Sequence, residues 1–150
     1  MPETLLCERV RTSAGAEDAF VFPARRGRMR LALTPTRVIA TSAAGTVELP
    51  WDAVADVAIY RLPGGRSDAD VLGIAATGPG AAIWTRGRWL GRLNRRVTPY
   101  DVSFKADAFA GEAGDIIHAI KRYQRDARRR RAIGSKQEHA RLLGERSARA

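Results

Sequence analysis

The sequence predicts a mainly β fold that ends in one α-helix, an α+β class. Short segments with alternating apolar and polar side chains recur from residue 20 to residue 104, separated by turns rich in Gly and Pro. From Glu112 onward the apolar side chains instead recur every three or four residues, which is the period of a helix. These patterns indicate an antiparallel barrel or sandwich of about seven strands, capped by an amphipathic helix.

A first strand is predicted near the start of the chain, and the next two flank a turn that contains arginines and a glycine. Residues 4–11 fit a first strand, and the composition of residues 12–18 predicts a loop. Phe20 and Phe22 alternate with Val21 ahead of a proline, and alternation resumes at residues 28–33. The two alternating segments therefore predict two strands joined by a tight turn.

Turn residues divide the next segment into two strands and a corner. Residues 34–36 contain a proline that presets the backbone of a turn. Strands are predicted at 37–42 and 46–49, with a tight reversal at Ala44-Gly45 between them. Residues 50–52, Pro-Trp-Asp, mark a corner after the second strand.

Four more strands complete the predicted β region. They lie at 54–61, 70–77, 81–85 and 100–104. A polar loop at 63–68 separates the first two, and Gly78-Pro79-Gly80 is a hairpin-type breaker between the second and third. The short spacing of all these strands is typical of antiparallel folds.

One long amphipathic helix is predicted to follow, starting near Gly111 and stopping at Gly134. Its apolar stripe consists of Ala113, Ile116, Ile117, Ile120, Tyr123 and Ala127. Glycine is the residue that most often ends a helix. We therefore assign residues 1–134 to one domain and residues 135–150 to a basic tail, either a loosely attached helix or disordered.

The segment from Gly27 to Val57 carries a resemblance to a known family. Its parts are Gly27-Arg-Met-Arg-Leu-Ala-Leu-Thr34, Arg37-Val-Ile39, Gly45-Thr-Val-Glu-Leu-Pro50 and Trp51-Asp-Ala-Val-Ala-Asp-Val57. This pattern resembles the bacterial pleckstrin-homology-like and GRAM-like families, and the order of strands and helix matches over roughly residues 5–133. The resemblance implies a barrel capped by a helix and a binding role in the bacterial cytoplasm. Eukaryotic phosphoinositide binders carry a lysine upstream of a basic-x-Arg pair, which this chain lacks, so tight phosphoinositide recognition is not implied.

Composition excludes several classes of protein. The chain has no apolar run long enough to cross a bilayer, and its start lacks the pattern of a signal peptide, which predicts a cytoplasmic protein. Cys7 is the only cysteine, and His118 and His139 lie far apart in sequence, so we expect neither a metal nor a cofactor. No motif places a nucleophile beside a base, so we expect no enzymatic activity.

The net charge of +10 is unevenly distributed along the chain. Basic and acidic side chains balance over residues 1–60, so the whole excess lies beyond that point. An excess of this kind indicates an anionic partner, such as a phospholipid surface, an acidic protein face or a nucleic acid.

Two basic stretches are the main candidate binding sites. The turn Arg25-Arg26-Gly27-Arg28 combines guanidinium groups with a flexible glycine, which suits an anion, or is a solvated hairpin. The segment 84–100 interleaves aromatic residues with arginines, and its candidate site residues are Arg86, Arg88, Trp89, Arg92, Arg95 and Arg96. Trp89 and Leu93 lie four residues apart and predict a short helical turn.

Three interpretations of this segment remain open. Trp89 and Leu93 would cover one mouth of the barrel while the arginines face water. Alternatively, tryptophan and arginine together would contact a membrane surface, with the segment lying peripherally at the inner membrane face, or a partner protein. In the third, the rings would stack on nucleic-acid bases.

A secondary basic patch is predicted at the end of the helix, at Arg128, Arg129, Arg130 and Arg131. Four consecutive arginines point to all sides of a helix, so they fit a solvated terminus or a nonspecific phosphate contact. The sequence thus predicts a binding or scaffold module that contacts a partner protein or the anionic membrane surface through basic loops. The alternative is nonspecific nucleic-acid binding through this helix end and the tail.

Overall fold

The computed structural model describes residues 4–42, 45–61, 70–78, 80–97 and 99–149. Its strands are β1 (Leu6–Thr12), β2 (Gly15–Pro23), β3 (Arg30–Leu33), β4 (Arg37–Ser42), β5 (Gly45–Pro50), β6 (Val54–Arg61), β7 (Asp70–Ala76), β8 (Ile83–Arg86) and β9 (Val102–Lys105). Its helices are α1 (Arg88–Val97), α2 (Ala113–Arg125), α3 (Ala127–Arg130) and α4 (Lys136–Arg149). The mainly β class with a C-terminal helix is confirmed.

The strands form two antiparallel sheets. One has the order β1-β2-β3-β4-β5-β8 and the other the order β6-β7-β9. A short 3-10 helix at Trp51–Ala53 links the sheets, at the predicted corner. Within the described residues the strands do not close into a seven-strand barrel, so that part of the prediction is wrong.

Two local predictions are corrected by strand pairing. Residues 12–18 are not a loop, because β1 and β2 pair from Leu6 opposite Val21 to Thr12 opposite Gly15. β7 and β8 do not form a hairpin, since β7 pairs with β6 and β9 while β8 pairs with β5. Long-range pairing sets these features, and residue alternation carries no information about it. Ala44, the loop 63–68 and Pro79 lie outside the described residues.

The tip of the β1–β2 hairpin reaches across to β5. The backbone N–H of Ser13 donates to both carboxylate oxygens of Glu48 at 3.1 Å, and Arg37 donates to Glu48 at 2.8 Å. A small apolar cluster of Val10, Ala19, Val21, Ala32 and Ile39 is buried with this hairpin. Paired charges and hydrogen bonds satisfy the buried Glu48 carboxylate, as burial of an ion requires.

The main core lies between the two sheets and the C-terminal helices. Its largest fully buried side chains include Phe20, Leu49, Leu72, Phe109 and Tyr123. Trp51 packs edge-on to Tyr123 and donates its indole N–H to the carbonyl of Thr34 at 2.8 Å. The corner between the sheets is thereby tied to the predicted turn at residues 34–36.

The predicted long helix is broken. α2 ends at Asp126, whose extended backbone (φ −124°, ψ 91°) interrupts the helical path. The Asp126 carboxylate then accepts the backbone N–H of Arg129 at 3.0 Å and so caps α3. Gly134 has a φ of +92°, but α3 already ends at Arg130, so the predicted single helix that stops at Gly134 is wrong.

The tail is a helix, and it is not loosely attached. Leu142 of α4 is 6% exposed and belongs to the main core. Arg146 and Arg149 of α4 pair with Asp115 of α2 at 2.8 and 2.7 Å. The low apolar content of residues 135–150 predicted weak attachment because it gives no sign of these long-range ion pairs.

Candidate functional site

Helix α1 is held against the edge of the six-stranded sheet by the strand before it. β8 pairs with β5, and Gly87 turns the chain from β8 into α1 with a φ of +83°. Gly91 lies on the indole of Trp84, where a β-carbon would approach the ring to 2.8 Å. Glycine is needed at this position because it lets the helix backbone rest on the ring.

The outward face of α1 combines apolar and basic side chains. Trp89 is 61% exposed and Leu93 is 50% exposed. Arg88, Arg92 and Arg96 are also exposed, and they make no ion pair or hydrogen bond within the described part of the chain. At 100° per residue the three arginines form one stripe, next to Trp89 and Leu93. We call these five residues the α1 face.

The α1 face decides between interpretations of the segment 84–100. Trp89 and Leu93 do not cover a mouth of the barrel, because both are half or more exposed on the outside of α1. Trp84 is the aromatic residue of the segment that packs against the core. The side chain of Arg95 lies outside the described residues, and Arg86 is exposed at the end of β8.

The second candidate, the turn at residues 25–28, is partly structural. Arg25 donates its Nε–H to the carbonyl of Phe109 at 2.9 Å. Arg26 and Arg28 are exposed, and Gly27 has a φ of +82° at the tip of the turn. Arg25 is exposed as well, but among the described residues it is the arginine of this turn whose guanidinium has a hydrogen-bond partner.

Strand register brings this turn to the same end of the sheet as the start of α1. Pro23 pairs with Arg30, Arg30 with Thr41, Thr41 with Thr46 and Thr46 with Arg86, in one row across five strands. Three strand spacings separate Arg30 from Arg86, which is roughly 14 Å. Two stretches that are 60 residues apart in sequence thus share one basic end of the molecule.

The predicted patch at Arg128–Arg131 is not a single surface. Arg129 is 5% exposed and bonds to Glu138 and, at 2.6 Å, to Glu145. Arg130 lies over the Trp51 ring at 5.7 Å from its centre. Arg128 and Arg131 remain exposed. Half of this run is therefore committed to intramolecular contacts.

The two histidines and the cysteine occupy ordinary structural positions. The imidazole of His118 bonds to Glu145 at 3.1 Å, and that of His139 lies 3.3 Å from the carbonyl of Leu5. Cys7 is exposed on β1. Among the described residues, no three His, Cys, Asp or Glu side chains come together as a metal site.

Sequence reasoning missed a cleft beside α1. Thr77, Gly78, Gly80, Ala82 and Trp84 line it together with Arg88 and Arg92. The motif Gly-Pro-Gly shortly before a tryptophan is the signal that could have indicated it, because glycines leave space beside an aromatic ring.

Comparison of the chain with protein-family models, curated proteins and solved structures finds no match. In the described ranges no helix is both long and apolar enough to cross a membrane.

Proposed function

We propose that this protein is a non-enzymatic, pleckstrin-homology-like binding module that docks on the anionic inner surface of the bacterial cytoplasmic membrane through the α1 face. The observation that carries the proposal is the exposure of Trp89 and Leu93 beside Arg88, Arg92 and Arg96. An interfacial contact needs this combination, with apolar side chains at headgroup depth and cations on the phosphates.

The strand order supports the pleckstrin-homology-like assignment. β2 to β5 follow one another in one sheet, β6, β7 and β9 form the other, and α2 follows β9 and packs against β6. The scaffold thus consists of four consecutive strands in one sheet, three strands in the other and then a helix. β1 is an additional strand at the start. β8 and α1 stand as an insertion before the last strand, so the α1 face lies on a part that the common scaffold does not need.

The charge of the α1 face sets the expected strength of binding. Each arginine near an anionic surface contributes on the order of 1 kcal/mol, so the three arginines contribute about 3 kcal/mol together. Arg26 and Arg28 lie at the same end of the sheet and add to the attraction. Because the interaction is electrostatic, it weakens with salt.

Vesicle co-sedimentation tests the proposal. The wild-type chain should bind vesicles that contain phosphatidylglycerol at low salt and should not bind pure phosphatidylcholine. The triple variant Arg88→Gln, Arg92→Gln, Arg96→Gln should lower partitioning about a hundredfold, the equivalent of about 3 kcal/mol. A matched triple variant, Arg128→Gln, Arg131→Gln, Arg141→Gln, removes the same charge from exposed arginines elsewhere and should lower partitioning much less.

The apolar part of the α1 face needs a separate control. Trp89→Ser with Leu93→Ser should abolish most binding without lowering thermal stability. Ile59→Ser removes another exposed apolar side chain (42%), on β6, and should leave binding intact. Equal partitioning to both kinds of vesicle, or equal effects of both triple variants, would contradict the proposal. Loss of a protein contact by the α1 variants with unchanged vesicle binding would indicate a partner protein instead.

Only some of the arginines on which the nucleic-acid alternative depends remain exposed, among them Arg128, Arg131 and Arg141. Arg129 is buried, and Arg146 and Arg149 are paired with Asp115. A filter-binding assay with DNA or RNA at low salt tests this alternative, because nonspecific nucleic-acid binding is strongest at low salt. Retention that the matched triple variant abolishes would favour this alternative.

A further inference from the structure

The cleft beside α1 shares Arg88 and Arg92 with the α1 face but not its apolar side chains. It has a volume of about 690 Å³ and lies between α1, Trp84 and the segment that follows β7. Small-ligand sites typically span about 300–1,000 Å³. Trp89 and Leu93 are not among the lining residues, so the cleft and the apolar part of the α1 face lie on different sides of the helix.

The described lining of the cleft is rich in hydrogen-bond donors. The Trp84 indole N–H and the guanidinium groups of Arg88 and Arg92 have no partner among the described residues. The carboxylate in the lining, Asp101, accepts the backbone N–H of Ala76 at 2.6 Å. Two cations against one carboxylate leave the cleft with a net positive charge, which favours an anion.

The spacing of the two arginines favours a phosphate group. Arg88 and Arg92 are one helical turn apart, about 5–6 Å between β-carbons, so their charges repel each other. A phosphomonoester dianion offsets both charges and accepts the forked N–H groups of each guanidinium. The Trp84 ring supplies an apolar wall for the organic part of the ligand.

We propose that the cleft formed by Trp84, Arg88 and Arg92 binds a small phosphomonoester, either a free metabolite or the headgroup of a lipid. This site goes beyond the proposed membrane contact, because neither source of the phosphate needs Trp89 or Leu93, which do not line the cleft.

NMR titration of the full chain with glycerol phosphate tests the site. We expect saturable shifts of the Trp84 indole N–H and of the backbone N–H groups of Gly78, Gly80 and Gly91. Glycerol, which lacks the phosphate, and glycerophosphocholine, a diester without net charge, should cause no such shifts.

Two tryptophan substitutions, one inside the cleft and one outside it, test where the ligand binds. Ala82 lines the cleft, so Ala82→Trp should fill it and weaken binding at least about tenfold, whereas Thr85→Trp, at an exposed position on β8, should change binding less than about twofold. Trp84→Phe keeps an aromatic ring but removes the N–H donor, and about a fivefold loss is expected. This milder variant keeps the test valid if Ala82→Trp does not fold.

Vesicles distinguish the two sources of the ligand. If a lipid headgroup enters the cleft, wild-type chain binds phosphatidate vesicles more tightly than phosphatidylglycerol vesicles of equal charge, and Ala82→Trp removes the difference. If the ligand is a free metabolite, Ala82→Trp affects only the glycerol phosphate titration.

Shifts that do not saturate and that spread over the exposed arginines of other elements would overturn the proposal, as would binding unchanged by both cleft variants. Such a result leaves the membrane proposal intact, because Trp89→Ser with Leu93→Ser tests that contact separately.

Discussion

Arg129 is one of three buried charged residues in the described part of the chain, with Glu48 and Glu138. It is 5% exposed, and its partner Glu138 is 4% exposed. Glu138 also accepts the hydroxyl of Tyr123 at 2.9 Å, and burial together with this hydrogen bond raises the pKa of Tyr123. Removing one partner of such a buried pair typically costs about 3–5 kcal/mol because it leaves an uncompensated charge. The arginine run thus contains a structural anchor.

Glu145, which also bonds to Arg129, makes the stability of the fold depend on pH. Burial raises its pKa, but hydrogen bonds from Arg129, His118 and Arg122 outweigh burial and lower the pKa to about 2. Because the folded value lies below the usual 4.5, Glu145 stabilises the fold fully above about pH 4.5, and this contribution is lost as the pH falls toward 2.

Glu145→Gln should therefore lower the free energy of unfolding by a constant amount from about pH 7 to about pH 5. The difference from the wild type should shrink between about pH 4.5 and pH 2. Urea unfolding at several pH values measures it, with Asp107→Asn, an exposed carboxylate, as the control. A difference between wild type and Glu145→Gln that does not change with pH would contradict this assignment.

At the scale of elements, α4 belongs to the folded core. Leu142 inserts between α2 and the start of β1, where Leu5 and Phe22 also line a small cavity. Glu138 and Glu145 reach the buried Arg129 from the same helix. Deleting α4 would remove the apolar contact and both carboxylates at once. Truncation after Gly134 would therefore destabilise the fold, and it could not show whether the positive charge of α4 contributes to binding.

Leu142→Ala should destabilise the protein by about 2–5 kcal/mol, the usual cost of truncating a buried leucine. Leu93→Ala is the matched control, because Leu93 is half exposed on α1 and its loss should change stability by less than about 0.5 kcal/mol. Urea unfolding followed by circular dichroism measures both. Equal effects of the two substitutions would show that α4 contributes little to the core.

Sequence patterns predicted the positions of strands and helices better than they predicted which elements pack together. The turns at residues 34–36 and 50–52 and the strands between them were predicted correctly, because alternation and proline act over a few residues. The break at Asp126 was missed, since its apolar stripe continues to Ala127 and the break depends on where α3 and α4 pack.

At the scale of the whole molecule, both sheets and the C-terminal helices share one main core. Phe20 of β2, Leu72 of β7, Ile120 of α2 and Leu142 of α4 all belong to it. A shared core couples the elements, because none can leave without exposing the apolar side chains of the others.

We therefore expect one cooperative unfolding transition. Far-UV circular dichroism, which reports the helices, and near-UV circular dichroism, which reports buried Trp51 and Tyr123, should give coincident urea curves. Loss of the far-UV signal at lower urea than the near-UV signal would show that α4 unfolds independently of the sheets. That outcome would show that residues 135–150 are a loosely attached tail.

The sequence by itself determined the mainly β class, most strand positions, the helical period after Glu112 and the two basic stretches, because each depends on neighbouring residues alone. Only the tertiary structure decided which arginines are available. Arg129 bonds to two carboxylates of α4 and Arg146 bonds to Asp115 of α2, whereas Arg88, Arg92 and Arg96 are left facing solvent beside Trp89. Burial and pairing arise between distant segments, and so local patterns of charge do not reveal them.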